Sequence, residues 1–220
     1  GTPEGTYFNS YDVDLAISQG NYIRVPYAKS YIPGNDSFTI STWFYAAADN
    51  SFSSAGNIPL FTLQGGDFGE GVVLSVGGDP LNPILSFSIS PNAPGVGGQL
   101  VSSPINLGGW TTIEGVVDRS ANTISLYLNH QLVAEESLNN LGLGSIEPTM
   151  DMLIGAYDYI SARNGSEQVV SGTFLMHSLE IYNRALSSEE IYNLSYDDLI
   201  SVSYSSTINA NDRPSHDLEH

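Results

Sequence analysis

Short runs of alternating apolar and polar residues dominate this chain and recur about every ten residues. The strongest is SFTISTWFYAA at 37–47. Successive side chains of an extended chain point to opposite faces. Phe38, Ile40, Thr42 and Phe44 therefore share one face, and Thr39, Ser41, Trp43 and Tyr45 the other. Val13, Leu15 and Ile17 mark an earlier strand; Gly20-Asn21 is a turn, and Tyr22 to Pro26 returns as a second strand. Further strands are predicted at 58–64, 72–76, 84–89, 111–118, 123–128, 131–134 and 152–156. Gly77 to Pro83, Arg119 to Asn122 and Asn129-His130 read as turns. Loops are expected at 46–57, 65–71, 90–98 and 139–149, the last with a helical turn, and 157–170 is the longest polar loop.

Thr173 to Tyr182 is a strand with Phe174, Met176, Leu179 and Ile181 as its apolar members. Asn183-Arg184-Ala185-Leu186 turns the chain off the sheet. Ser187 or Ser188 caps a short helix whose first turn carries Glu189 and Glu190, where acids suit the positive helix end. Ser188 with Ile191 three residues on does not make a full capping box. Residues 199–208 alternate again. Many short strands with turns between them and almost no helix predict an all-β, antiparallel sandwich or barrel. Without crossover helices a parallel α/β sheet is excluded. Residues 1–208 read as one domain. Residues 209–220 read as a linker and a vector-derived tail, ending Leu218-Glu219-His220.

Composition changes the picture through charge. Among 220 residues, 6 are basic and 24 acidic, a net charge of −18. Such a chain is repelled by nucleic acid and by anionic membrane surfaces. No apolar run approaches the roughly 18 residues of a membrane span, so no membrane insertion is expected. The acidity has two ordinary explanations, divalent cation binding and plain solvation. With no cysteine there is no disulfide framework, thiolate site or cysteine nucleophile.

Two kinds of chemistry have candidates on the predicted loops. Asp67 and Glu70 in GGDFGEG, Asp79 in GGDP and Asp158 in YDY sit on predicted loops, where carboxylates and backbone carbonyls together suit calcium. The plainer reading is an Asx-turn, since Asp beside Gly or before Pro often makes only that. For carbohydrate, the 156–165 loop offers Tyr157, Asp158, Tyr159, Arg163 and Asn164, rings for stacking beside groups that bond hydroxyls. Its plainer reading is a loop with packed tyrosines. Trp43 and Trp110 read as sheet-packing residues, His130 as a turn residue and His177 as a satisfied strand residue. Gly-rich runs do not precede helices, so phosphate cradling is not expected.

Four segments resemble the concanavalin A-like lectin/glucanase superfamily, in its bacterial laminin-G-like (LamG) form. They are Gln19 to Pro26 with Ser37 to Trp43; Gly109-Trp110-Thr111-Thr112-Ile113 through Asp118 with Leu126-Tyr127-Leu128-Asn129-His130; Leu153-Ile154-Gly155-Ala156; and Ile181-Tyr182-Asn183-Arg184-Ala185-Leu186-Ser187 with Glu190-Ile191. The last is the specific one, and together they span about residues 15–195. The resemblance implies a jelly roll, two antiparallel sheets packed face to face. It departs from the family where an acidic pattern precedes Asn-Arg-Ala-Leu. The family's Asp, Glu and Arg positions hold His177, Ser178 and Glu180, so a calcium ligand from that Asp does not transfer.

Catalytic relatives of this fold carry Glu-x-Asp-x-x-Glu on one strand, and that spacing is absent here. If Trp43, Glu114, Tyr127 and Glu180 share a polar sheet face, a two-carboxylate cleft is one conceivable reading. The alternative is that Glu114 and Glu180 simply bond to Thr, Tyr or Arg184 there. The expectation is thus a non-catalytic, calcium-dependent, glycan-binding or adhesion module. It is expected to be monomeric within a larger secreted or cell-surface bacterial protein, the acidity leaning toward an adhesin. The alternatives are a structural or protein-binding spacer and, third, a glycoside hydrolase or polysaccharide lyase.

Overall fold

The computed structural model describes residues 6–9, 15–17, 22–48, 57–65, 70–79, 81–91, 98–138, 144–160, 167–171 and 173–194. The strands are β1 (Thr6–Asn9), β2 (Leu15–Ile17), β3 (Ile23–Val25), β4 (Phe38–Tyr45), β5 (Asn57–Gly65), β6 (Glu70–Asp79), β7 (Asn82–Ser90) and β8 (Gln99–Pro104). They continue with β9 (Trp110–Asp118), β10 (Thr123–Leu128), β11 (Gln131–Ser137), β12 (Met152–Ile154), β13 (Ala156–Ile160), β14 (Glu167–Ser171) and β15 (Phe174–Tyr182). A 3₁₀ turn covers Lys29–Tyr31, and one α-helix, α1, covers 188–194.

Two antiparallel sheets pack face to face, as the jelly-roll expectation requires. The front sheet has seven strands, ordered β1-β15-β4-β9-β10-β11 with β2 also on β15. The back sheet has six, ordered β3-β12-β5-β6-β7-β8. The alternation of β4 is realised residue by residue. Phe38, Ile40, Thr42 and Phe44 are buried between the sheets with Ile113, Val117, Ile124, Leu126, Met176, Leu179 and Ile181. The back sheet answers with Leu60, Leu74, Leu85 and Phe87. Gly115 of β9 marks where the layers come closest: a Cβ there would stand 2.9 Å from the ring carbons of Phe87, so only a residue without a side chain fits.

Four sequence expectations are corrected. β2 and β3 are not a hairpin: β2 pairs with β15 in the front sheet and β3 with β12 in the back sheet, so the chain changes layers between them. Gly77 to Pro83 is not all turn, because the β6–β7 ladder runs out to Asp79↔Asn82. The loop expected at 157–170 is instead largely the β13–β14 hairpin, paired from Ala156↔Ser171 to Ile160↔Glu167. In 139–149 the described residues 144–149 hold no helical turn; Ile146 bridges to Gly34. β1 and β8 were not foreseen. β8, Gln-Leu-Val-Ser-Ser-Pro, is a sheet-edge strand with only two apolar side chains, too little alternation to show. Residues 199–208 lie outside the described residues.

Candidate functional site

The face of the front sheet turned away from the core is built by register. Across β10, β9, β4 and β15, one row reads Tyr127, Glu114, Ser41, Glu180. On one side of it lies the row Ser125, Val116, Thr39, Tyr182. On the other side lie Thr112, Trp43 and Ser178, and beyond them Trp110, Tyr45 and Leu175. Trp43, Glu114, Tyr127 and Glu180 therefore do share one face.

One end of this face is closed by the chain itself. After β15, Leu186 and Ile191 pack on Val116, Tyr127 and Tyr182, all buried. The Thr39 hydroxyl donates to the Arg184 carbonyl at 3.0 Å and accepts the Leu186 N–H at 3.0 Å, which fixes the exit from the sheet. Ser187 then caps α1 in a full capping box. Its hydroxyl accepts the Glu190 N–H at 3.2 Å while the Glu190 carboxylate accepts the Ser187 N–H at 2.9 Å. The same carboxylate takes both Arg184 guanidinium nitrogens, at 2.9 and 2.8 Å. The bonds from Arg184, then from the Ser187 N–H, hold Glu190 down to about 2. The second serine, Ser188, meets the Tyr127 hydroxyl at 3.1 Å.

The middle of the face holds a buried acid. The Glu114 side chain is 0% exposed, and its Oε1 lies 3.1 Å from His130 Nδ1. His130 reaches it from the β10–β11 turn, where Asn129 (φ 49°) and His130 (φ 63°) both adopt the left-handed conformation of a tight hairpin turn. Asn129 ties that turn back to Thr112, its N–H donating to the Thr112 carbonyl at 3.0 Å. His130 Nε2 lies 3.2 Å from the Thr112 hydroxyl. In the tautomer with the proton on Nδ1, facing the carboxylate, Nε2 accepts from that hydroxyl; a doubly protonated ring is a donor at both nitrogens. Two strands away, Glu180 accepts from the Tyr182 hydroxyl.

The other end is open and aromatic. Trp43 meets Trp110 edge-on with centroids 6.0 Å apart, Tyr45 lies 5.7 Å from Trp110, and His177 stands edge-on to Trp43 at 5.3 Å and to Trp110 at 6.4 Å. Trp110 is 44% exposed, and Trp43, Tyr45 and His177 are half-buried. His177 gets there through a bulge: Met176 pairs with Phe44 and Ser178 with the next residue, Trp43, leaving His177 as the extra residue. Bulges re-aim side chains in this way. The β13–β14 hairpin starts at the same end. Ser171 at its base is three residues from Phe174, at most about 10 Å of chain.

A family model described as Laminin_G_3, concanavalin A-like lectin/glucanases superfamily, matches residues 18–192. The chain belongs to this family. No curated protein matches it. Solved structures share the laminin-G-like fold at low identity. The Ruminococcus gnavus IT-sialidase CBM40 bound to α2,6 sialyllactose has a TM-score of 0.65 at 14% identity, over 86% of this chain and 99% of that one. The binding domain of botulinum neurotoxin serotype G has 0.62 at 13%, over 90% of this chain and 48% of that one. The leech intramolecular trans-sialidase has 0.62 at 17%, over 87% and 28%. The chain thus spans about half, or less, of the toxin and leech chains.

The structure describes only some of the expected site residues of this laminin-G-like domain. Tyr157, Asp158 and Tyr159 are strand positions of β13, paired with Val170, Val169 and Gln168. Arg163, Asn164 and Asp67 lie outside the described residues, and Glu70 is the first position of β6. Asp79 is exposed and its Oδ1 accepts the Leu81 N–H at 3.0 Å, the plain Asx-turn. No group of three or more His, Asp or Glu among the described residues is placed to hold a metal. The family's Asp position, His177, is packed among indole rings, so that position offers no carboxylate to a calcium ion. Glu180 is bonded by a tyrosine, as the plainer reading had it. The Glu114–His130 couple was missed: the sequence shows a turn histidine but not that the β9–β10 ladder brings Thr112 and Glu114 under it.

Proposed function

We propose that this laminin-G-like domain is a non-catalytic carbohydrate-binding or adhesion module of a larger secreted or cell-surface bacterial protein, with calcium at a loop rim. The observation that carries the glycan part is the open cluster of Trp43, Tyr45, Trp110 and His177. Aromatic rings grouped at a surface stack on the C–H faces of sugars, and nearby polar groups select hydroxyls. The Ruminococcus gnavus sialidase module bound to sialyllactose, on the same fold, supports a glycan as the ligand class. The hairpin carrying Tyr157, Asp158 and Tyr159, followed by Arg163 and Asn164, begins at the same end and is the second place such a ligand would touch.

Catalysis is disfavoured by the two carboxylates themselves. Glu114 is fully buried against His130, and Glu180 is engaged by Tyr182, so neither is presented to a glycosidic bond. The calcium part rests on the acidic composition and on Asp67, Glu70 and Asp158. A protein-binding spacer is the second reading, favoured by exposed Leu132 and Val133 on the edge strand β11. A glycan array probed with and without calcium separates them. Glycan hits that EDTA removes are expected. A calcium-induced rise in melting temperature with no glycan hit in either condition would replace the proposal with the spacer.

A further inference from the structure

We infer that the Thr112 hydroxyl is a hydrogen-bond donor to the glycan at the aromatic face, and that His130, backed by Glu114, is the positioning residue that turns its proton outward; this rests on the glycan-binding reading above. Thr112 stands where such a contact is needed. It is the cross-strand partner of Trp43 and lies two residues from Trp110 on the same face of β9, about 7 Å along the strand. Asn129 clamps its backbone: the Asn129 side chain accepts the Thr112 N–H at 3.3 Å, and the Asn129 N–H donates to the Thr112 carbonyl at 3.0 Å. Thr112 is half-buried, and among the described residues its hydroxyl meets one partner, His130 Nε2 at 3.2 Å.

The direction of that bond follows from charge. Nδ1 of the same ring lies 3.1 Å from Oε1 of Glu114, whose side chain has no exposure. Two states of the couple carry no net charge: a carboxylate beside a doubly protonated ring, and a neutral acid donating to Nδ1. Both place a proton on Nε2. A carboxylate beside a ring protonated only at Nδ1 leaves Nε2 bare, but it keeps a net negative charge away from water in a molecule of charge −18. Among the described residues, the other titratable groups of this face are Tyr127 on β10, Glu135 on β11, Tyr45 on β4, and His177, Glu180 and Tyr182 on β15. Arg184 and Glu190 are paired with each other at the closed end. Negative charge at Glu180 and Glu135 disfavours a further net anion at the couple. The Nε2 proton therefore goes to the Thr112 oxygen, and the hydroxyl proton is left for a ligand. The buried Glu114 is not itself presented. It settles what Thr112 offers, a donor seeking an oxygen acceptor beside stacking rings.

The first arm of the test needs no ligand. A long-range ¹H–¹⁵N spectrum of the imidazoles at neutral pH reads each ring nitrogen separately, with His130 assigned by its loss in His130→Gln. A protonated Nε2 is expected; a bare Nε2 would reverse the bond and overturn the inference. The second arm is calorimetric titration of the strongest hit from the glycan array into wild type, Thr112→Val, Thr112→Ser and Tyr27→Ala, an exposed tyrosine off this face. Thr112→Val should lower affinity about fivefold, the worth of one hydrogen bond, whereas Thr112→Ser keeps the hydroxyl and should stay within about twofold of wild type. Tyr27→Ala should change nothing. Wild-type affinity in Thr112→Val would overturn the inference while leaving glycan binding intact. Equal losses in the Val and Ser variants would trace the effect to packing and overturn it as well. An array with no hits would overturn both readings.

Discussion

The outer face of the front sheet is closed at one end and open at the other, although β15, β4 and β9 run through both. At the closed end Val116, Tyr127 and Tyr182 are covered by Leu186 and Ile191, and even the small polar Thr39 is buried. At the open end Trp110, with more apolar surface than any of these, stays 44% exposed. Among the described residues a helix covers one apolar patch and no element covers the other. Exposed clustered aromatics of this kind mark contact surfaces, whereas scattered ones need no explanation. Cover, rather than residue type, separates the packed end of this face from the end proposed to bind.

That contrast can be broken by substitution. Ile191→Asp places a charge in the closed end and should cost at least about 4 kcal/mol in denaturant unfolding. His130→Ala, in the middle, should cost about 3 kcal/mol by leaving Glu114 buried without its imidazole, and adding Glu114→Leu should recover at least about 1 kcal/mol. If His130→Ala is neutral, the couple is not structural. Ser187→Ala removes one half of the capping box and should cost about 1 kcal/mol. Glu190 sharpens the comparison through pH. Its folded value lies near 2, below the ordinary 4.5, so its contribution is complete above pH 4.5 and disappears as pH falls toward 2. The pair is partly solvent-screened, so Glu190→Gln should remove less than about 1 kcal/mol of that acid dependence, read from melting temperatures across the window. Smallest of all, Trp110→Ala should change stability by less than about 0.5 kcal/mol. A loss as large as that of Ile191→Asp would make the open end part of the core.

Much of this arrangement was written in local patterns. The parity of β4 separates Phe38, Ile40, Thr42 and Phe44 from Trp43 and Tyr45 without ambiguity, because one face is packed against a whole second sheet. The apolar set of β15 changes parity between Met176 and Leu179, and that break is the bulge that sends His177 toward the indoles. Ser187 and Glu190 spell the capping box, one residue earlier than the Ser188–Ile191 spacing. What stayed hidden depends on partners distant in sequence. Glu114 and His130 meet only through the β9–β10 register. β14 shows as a strand only once Glu167 to Ser171 lie against Ala156 to Ile160. The asymmetry of cover is likewise invisible until Leu186 and Ile191 fold back over one end.

The most direct measurement is a two-dimensional ¹H–¹⁵N spectrum of the domain during titration with the strongest glycan hit from the array. The chain has two tryptophans, both in the open cluster, so the spectrum carries two indole N–H signals. Both are expected to shift on saturation while the backbone signals of Leu186 and Ile191 stay in place. Two unmoved indole signals alongside shifting signals elsewhere would contradict a ligand site at the open end.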